Sequence, residues 1–284
     1  MKKLVMLLLC GGLLVGCSSQ YSIKVSDSSL KLASGSGLDI SKQEYFEYLL
    51  DTYGANAVLT EVLTSIADKE VTDQDKIDKL LQERIEIYTK YGGGDLKKYA
   101  TSLGYKDENE YIDTTLLPDV KQELLRNKYI EEHFDDLVNE YEISCLKKII
   151  VDKESKALSI IKDSTSEEAF DKIMKEYGTD AEDAGIVTNK SALDENLKKM
   201  LSKFSKIDKD GIYKDAIELS DGNYAVVYLY DTEKKDKEDY IQSLTSIDEL
   251  KTKIEGIYLK KYNFKVYDKK LENTIKDFSD EYIE

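Results

Sequence analysis

Between residues 41 and 140, apolar side chains recur every three to four positions, the spacing that gathers them on one face of an α-helix. Ser41-Lys42-Gln43-Glu44 has the form of a capping box, and Phe46, Leu49, Leu50 and Tyr53 follow at helical spacing. Gly54 predicts a break, after which Val58, Leu59, Val62, Leu63 and Ile66 form a second stripe. Thr72-Asp73-Gln74-Asp75 opens a third helix carrying Ile77, Leu80, Leu81 and Ile85. Gly92-Gly93-Gly94 reads as a loop, and Leu96, Tyr99, Ala100 and Leu103 as a short helix ended by Gly104. A long helix is expected from about Asp119 to Glu140, burying Val120, Leu124, Leu125, Phe134, Leu137 and Val138.

The texture changes after Tyr141. Ile143 to Val151 is rich in apolar and β-branched residues and short enough for a strand. Helical patterns follow at about 153–162 and 166–177, residues 179–190 read as a loop, and 193–204 as a helix. Gly222-Asn223 is a turn signal ahead of a strand from Tyr224 to Tyr230. Charged residues 231–239 read as a solvated link, and helical segments at about 246–261 and 268–278 close the chain. Helices, then a small mixed unit, then helices again predict an α+β protein of insertion type, in which both chain ends build one helical domain.

The N-terminus has a different pattern. Lys2 and Lys3 precede an apolar run from Leu4 to Val15 that is too short for a bilayer core needing about 20 residues. It ends in Leu14-Val15-Gly16-Cys17, which resembles a bacterial lipobox. That resemblance implies a signal peptide over 1–16, cleavage before Cys17 and acyl chains (palmitate among them) on Cys17, enough for stable anchoring. The protein is then expected at the cell membrane, on its extracytoplasmic face, in a Gram-positive bacterium. Residues 17–38, rich in Ser, Gly and Lys, read as the lipidated cysteine and a flexible tether.

Composition narrows the chemistry. The 284 residues suggest about two domains, and 41% hydrophobic content supports a packed core. Lys+Arg 41 against Asp+Glu 57 gives a net charge of −16, and removal of Lys2 and Lys3 makes it 39 − 57 = −18. Such an excess repels phosphate backbones, so no nucleic-acid partner is expected. One His excludes a site of several histidines. Of three cysteines, Cys10 leaves with the signal and Cys17 is acylated, so Cys145 stands alone as a buried, inert thiol. His133, flanked by Glu132, Asp135 and Asp136, reads as a solvated helix residue near a favourable dipole end. Residues 206–217 have the glycine of a calcium loop, but Lys206 and Ile217 fall where carboxylates are required. Neither metal nor cofactor is expected.

Several longer stretches carry a resemblance: Ile40 to Phe46 with Tyr53-Gly54, Leu96 through Leu103-Gly104 to Ile112, Lys121 to Lys128, and Tyr262-Asn263-Phe264-Lys265-Val266. In this order they resemble the PrsA-type foldase lipoproteins, relatives of the SurA-like chaperones. The resemblance implies a chaperone domain formed by residues 39–141 and 239–284, with a parvulin-type prolyl isomerase domain inserted at 142–233. Unfolded secreted polypeptides would be its partners, and a homodimer is an open alternative. The family's Ser-His-Ile-Leu-Val strand corresponds to Lys147-Lys148-Ile149-Ile150-Val151, so Lys148 stands at the first histidine. Its Phe-Gly-Tyr-His-Ile-Ile strand corresponds to Gly222-Asn223-Tyr224-Ala225-Val226-Val227, placing Ala225 at the second. The glycine-rich loop is reduced to Glu182-Asp183-Ala184-Gly185-Ile186.

A Lys and an Ala cannot donate and accept as paired imidazoles do, so the inserted domain is expected to be non-catalytic. An active isomerase with a rearranged pocket would have to use Tyr224 and Asp183, the nearest polar candidates. A solute-binding or adhesive surface lipoprotein is the reading from another class; it lacks the alternating βαβ pattern of a solute-binding lobe. The sequence holds 21 tyrosines, and Tyr45, Tyr48, Tyr53, Tyr88, Tyr91 and Tyr99 crowd the first helices. They suit either loose peptide binding or a core in which Tyr is the default aromatic.

Overall fold

The computed structural model describes residues 25–283, so the signal stretch and Cys17 lie outside the described residues. The chain opens with a hairpin of β1 (Lys31–Gly35) and β2 (Leu38–Ser41). This hairpin occupies part of the stretch that the Ser/Gly/Lys composition had assigned to a tether. Gly37 at φ 77° turns the chain between the strands, a conformation that costs glycine little.

Helix α1 (Lys42–Leu49) starts at the capping box the sequence predicts: the Glu44 amide donates to Ser41 Oγ at 3.2 Å and the Ser41 amide to Glu44 Oε2 at 2.7 Å. The break expected at Gly54 is absent. A π-helical turn, Leu50–Gly54, runs straight into α2 (Ala55–Glu70), and Gly54 keeps right-handed helical angles. The glycine is buried, and a Cβ there would sit 2.8 Å from Leu50 Cδ1, the movable tip of a side chain one turn earlier.

Asp73 caps α3 (Gln74–Tyr91) by accepting from the Lys76 amide at 3.2 Å. Short helices α4 (Leu96–Ser102) and α5 (Glu108–Tyr111) follow, then a second π-turn (Ile112–Leu116) leading into α6 (Leu117–Glu132). The single helix expected over 119–140 is divided at His133, where φ −118° and ψ 22° leave the helical region before α7 (Phe134–Glu140). The His133 ring stacks on Tyr129 with centroids 4.1 Å apart, and its Nδ1 lies 2.9 Å from the Tyr129 carbonyl. The Tyr129 carbonyl is thus shared between this ring and the His133 amide, which still donates to it at 3.1 Å.

The α+β unit comprises β3 (Ser144–Val151), α8 (Glu154–Asp163), α9 (Glu167–Tyr177), β4 (Ala181–Val187), α10 (Glu195–Phe204), β5 (Gly211–Ile212), β6 (Ile217–Glu218) and β7 (Tyr224–Leu229). The loop expected over 179–190 is therefore largely strand β4. Strand order is β4-β3-β7-β5, with β6 also on β7 and every pairing antiparallel. Alternation along β3 and β7 sends Ile149, Val151, Val226 and Tyr228 to one face, where they meet Ala157, Ile160 and Phe170 of α8 and α9. Leu146, Ala225, Val227 and Leu229 line the other face against Leu197, Leu201 and Phe204.

The link read over 231–239 already contains the start of α11 (Lys237–Thr245), whose charged first turn is the acidic cap of a helix that buries Tyr240, Ile241 and Leu244. Helices α12 (Asp248–Lys261) and α13 (Lys269–Phe278) complete the chain. Leu59, Leu63, Ile66 and Ala67 of α2 share one core with Val120, Leu125 and Ile130 of α6 and with Leu244, Leu250, Ile254, Leu259 and Ile275 near the C-terminus. The fold is α+β, and its main helical core is drawn from both chain ends.

Candidate functional site

The four pocket positions named from sequence fall on one sheet but not on one face. Lys148 pairs with Val227 across β3–β7, and Ala225 pairs with Ile150, so these two sit one step apart on the face covered by α10. Ala225 is fully buried there, and the Lys148 ammonium reaches Glu182 Oε2 at 2.9 Å. Tyr224 packs with the opposite core, below α8 and α9. Asp183 pairs with Lys147 on β3 and accepts from the Tyr230 hydroxyl at 2.7 Å, also on that opposite side. Lys148 and Ala225 are brought together; Tyr224 and Asp183 are turned away from them.

The polar centre that sequence reasoning missed is Lys147. Only 8% exposed, it donates to Glu167 Oε1 at 2.8 Å and Asp171 Oδ1 at 2.7 Å, and its ammonium stands 5.3 Å from the Tyr230 ring centroid. Burial works against its charge, yet the hydrogen bonds to Asp171 and Glu167 prevail and hold the ammonium protonated above its usual range. The signal lay in a second lysine inside an apolar strand, which needs partners if it points inward. Such an ion cluster fixes α9 on the sheet and offers no proton near pH 7.

A cleft of about 580 Å³ opens where the sheet meets α11, lined by Cys145, Ile186, Tyr230, Asp231, Tyr240 and Ser243 among others. Tyr240 donates to Asp231 Oδ2 at 2.8 Å, and burial raises the phenols of both Tyr230 and Tyr240 far above the ordinary range. Cys145 is buried, and desolvation pushes its thiol up against the opposing pull of the Tyr230 and Tyr240 hydroxyls. A protonated thiol is a poor nucleophile, so the group packs rather than reacts.

In the helical body, a second cleft of about 390 Å³ lies between α2, α12 and the C-terminal residues. Leu59, Leu63, Phe278 and Tyr282 give it an apolar surface, while Asn56, Thr60, Asp248 and Lys251 give it a polar one. Phe278 is half exposed, and the Tyr282 hydroxyl donates to Glu255 Oε2 at 2.7 Å. The lining is mixed, with Phe278 supplying most of its exposed apolar surface, because Leu59 and Leu63 are themselves buried.

The crowded tyrosines divide in two. Tyr88 lies 5.7 Å from Tyr99 and 5.9 Å edge-on from Tyr111, and Tyr105 lies 5.0 Å from Tyr111, forming a small core between α3, α4 and α5. Burial pushes the Tyr111 phenol up to about 12. Tyr45, Tyr48, Tyr53 and Tyr91 are exposed. His133 is exposed at its helix junction, and Asp210 of the partial calcium loop is taken by the Thr232 amide and hydroxyl at 2.9 and 2.7 Å. Among the described residues no three acidic, His or Cys side chains converge as metal ligands, and no helix is long and apolar enough to cross a membrane.

No protein-family model and no curated protein matches the chain. Among solved structures it is similar to the peptidylprolyl isomerase PrsA of Bacillus cereus, at 18% identity over 89% of this chain and 99% of that one, with a TM-score of 0.48. The foldase protein PrsA of Streptococcus pneumoniae is 18% identical over 89% of this chain and 100% of that one, with a TM-score of 0.41. PrsA of Bacillus subtilis is 21% identical over 88% and 99% of the two chains, with a TM-score of 0.39.

Proposed function

We propose that this protein is a lipid-anchored, extracytoplasmic foldase that shields apolar segments of secreted polypeptides in its helical body, and that its inserted α+β unit binds or supports without catalysing prolyl isomerisation. The observation that carries the reading is the placement of Lys148 and Ala225 one step apart on the same sheet face. These are the two positions where the sequence resemblance places imidazoles, and one is an ion-paired ammonium while the other is a methyl group sealed in the core. Neither can hold a twisted amide across a rotation barrier of about 18–20 kcal/mol. The helical body contributes the second support: its cleft beside Phe278 and Tyr282 has the mixed lining that a client side chain needs. The class of activity proposed, that of a foldase, is the one named for the Streptococcus pneumoniae structure.

Two assays on the full mature chain test the halves of this reading separately. Suppressed aggregation of an unfolded secreted client, weakened in Phe278→Ser, is the expected chaperone result; no suppression by the parent chain would sink it. In a protease-coupled prolyl isomerisation assay the rate should stay at the uncatalysed background. Acceleration there would overturn the non-catalytic half and leave the chaperone half standing.

A further inference from the structure

No residue from 25 to 53 is buried, although this segment folds into a hairpin and a capped helix. More than half of the exposed large apolar side chains among the described residues fall in it. The β1–β2 register separates the hairpin's faces. Lys31, Ser34, Asp39 and Ser41 share one, where Lys31 Nζ donates to Asp39 at 2.6 Å. Ala33, Leu38 and Ile40 share the other, with Leu38 76% exposed. A two-stranded hairpin is marginal in water without something against its apolar face.

We infer that the apolar face of this hairpin rests in the headgroup region of a lipid bilayer, the membrane that holds the Cys17 anchor. The inference depends on the lipidation reading given under Proposed function. Reach is the first argument. Eight Cα-to-Cα steps separate Cys17 from Val25, so the start of the described chain lies at most about 28 Å from the acylated residue, and the hairpin follows within a few residues. Charge is the second. Residues 25–43 carry two lysines and two aspartates and are neutral, whereas the whole chain is strongly acidic. An anionic membrane repels the chain's overall negative charge, and this hairpin face, with no charged side chain on it, is spared that repulsion. Chemistry is the third: α1 packs beside β2 and displays Tyr45 and Tyr48, whose rings carry the polar tip that interfacial aromatics use.

The chain contains no Trp, so Leu38→Trp creates a single fluorescent reporter at the hairpin, and Tyr91→Trp creates one at the C-terminal end of α3, outside the 25–53 segment. Both positions are exposed, so neither substitution disturbs a core. The lipidated full-length variants are purified from membranes, checked by mass for acyl chains on Cys17, and placed in phosphatidylglycerol–phosphatidylethanolamine vesicles with brominated acyl chains. The Leu38→Trp emission should shift to the blue and fall by about half, as suits a side chain ~5–10 Å into the headgroup boundary, with Tyr91→Trp unaffected. An acylated protein whose Leu38→Trp emission stays as open to aqueous quencher as that of Tyr91→Trp overturns the inference. Shielding from aqueous quencher without loss to the brominated chains also overturns it, since protein then covers the face. Absence of the acyl mass defeats the anchoring reading itself, and the hairpin inference falls with it.

Discussion

Glu70 closes α2 with its carboxylate held by Lys261, by Lys128 at 2.9 Å and by the Tyr262 hydroxyl at 3.0 Å. Hydrogen bonds from Lys261 and Lys128 lower its pKa from 4.5 to about 2. A carboxyl lowered on folding stabilises the native state fully above the unfolded value near 4.5, and loses that contribution as pH falls through about 2. Glu70→Gln should therefore cost about 1–2 kcal/mol at neutral pH, the figure being reduced for solvent around the half-exposed Lys261. Urea unfolding of parent and variant should differ at pH 7 and converge towards pH 2; a constant difference would show that the charge is not responsible. Ala225 makes a second case at this scale. Packed against Ile150 and Val227 with no exposed surface, it leaves no room for a ring, so Ala225→His should lose about 1–3 kcal/mol by overpacking. The same variant should gain no isomerase activity, because its neighbour Lys148 stays paired with Glu182.

Gly256, inside α12, shows how one element is set by another. Alanine normally stabilises a helix interior by about 1 kcal/mol over glycine. Here a Cβ would meet the Glu281 carbonyl oxygen at 2.5 Å and the Glu281 Cβ at 2.9 Å. Gly256→Ala should reverse the usual sign, lowering Tm and speeding amide exchange in residues 279–283 as that segment is pushed off α12. A raised Tm would mean that the contact is dispensable. Elements with strong local signals, such as the Ser41 box, the Asp73 cap and the apolar runs of β3 and β7, were readable in the sequence because neighbours in the chain determine them. Strand β4 was not, since Glu182-Asp183-Ala184-Gly185 has no alternation and is held by pairing with β3, a partner thirty-odd residues away. Gly54 misled for a related reason: it is buried inside a continuous helical run, with Leu271 of α13 in ordinary contact 3.6 Å from the position of a Cβ, and a glycine in sequence does not by itself tell such packing from a break. At the candidate site, the identities of Lys148 and Ala225 were available from the strand motifs. That Tyr224 and Asp183 face the other way follows from register, which only the folded sheet defines.

For the molecule as a whole, the shared core sets the limit of what can be cut away. Leu271 and Ile275 of α13, with Leu250, Ile254 and Leu259 of α12, lie in the core that α2 and α6 also build. Residues 25–141 alone would expose that surface to water, at ~25 cal/mol per Å² of apolar area. The fragment should unfold without a cooperative transition in urea, and co-expression with residues 237–284 should restore one; a sharp transition for the fragment alone would contradict a two-ended core. The α+β unit is differently placed, since the strands β3 to β7 and the helices on both faces all derive from residues 144–229.

This difference gives the chain a timetable. A polypeptide emerges N-terminus first, at about 5–20 residues per second during synthesis. When Leu229 appears, the sheet has every strand it will ever have, whereas the helical body still waits for α11, α12 and α13. The middle of the chain can set while its beginning remains an open apolar surface, and the body closes only when the last helix arrives. Chains stalled once Leu229 has emerged but α13 has not should accordingly hold a protease-resistant core spanning 144–229 beside a digestible N-terminal half, and release of the complete chain should protect both. A protein proposed to shelter unfinished polypeptides would thus itself remain unfinished until its final residues appear.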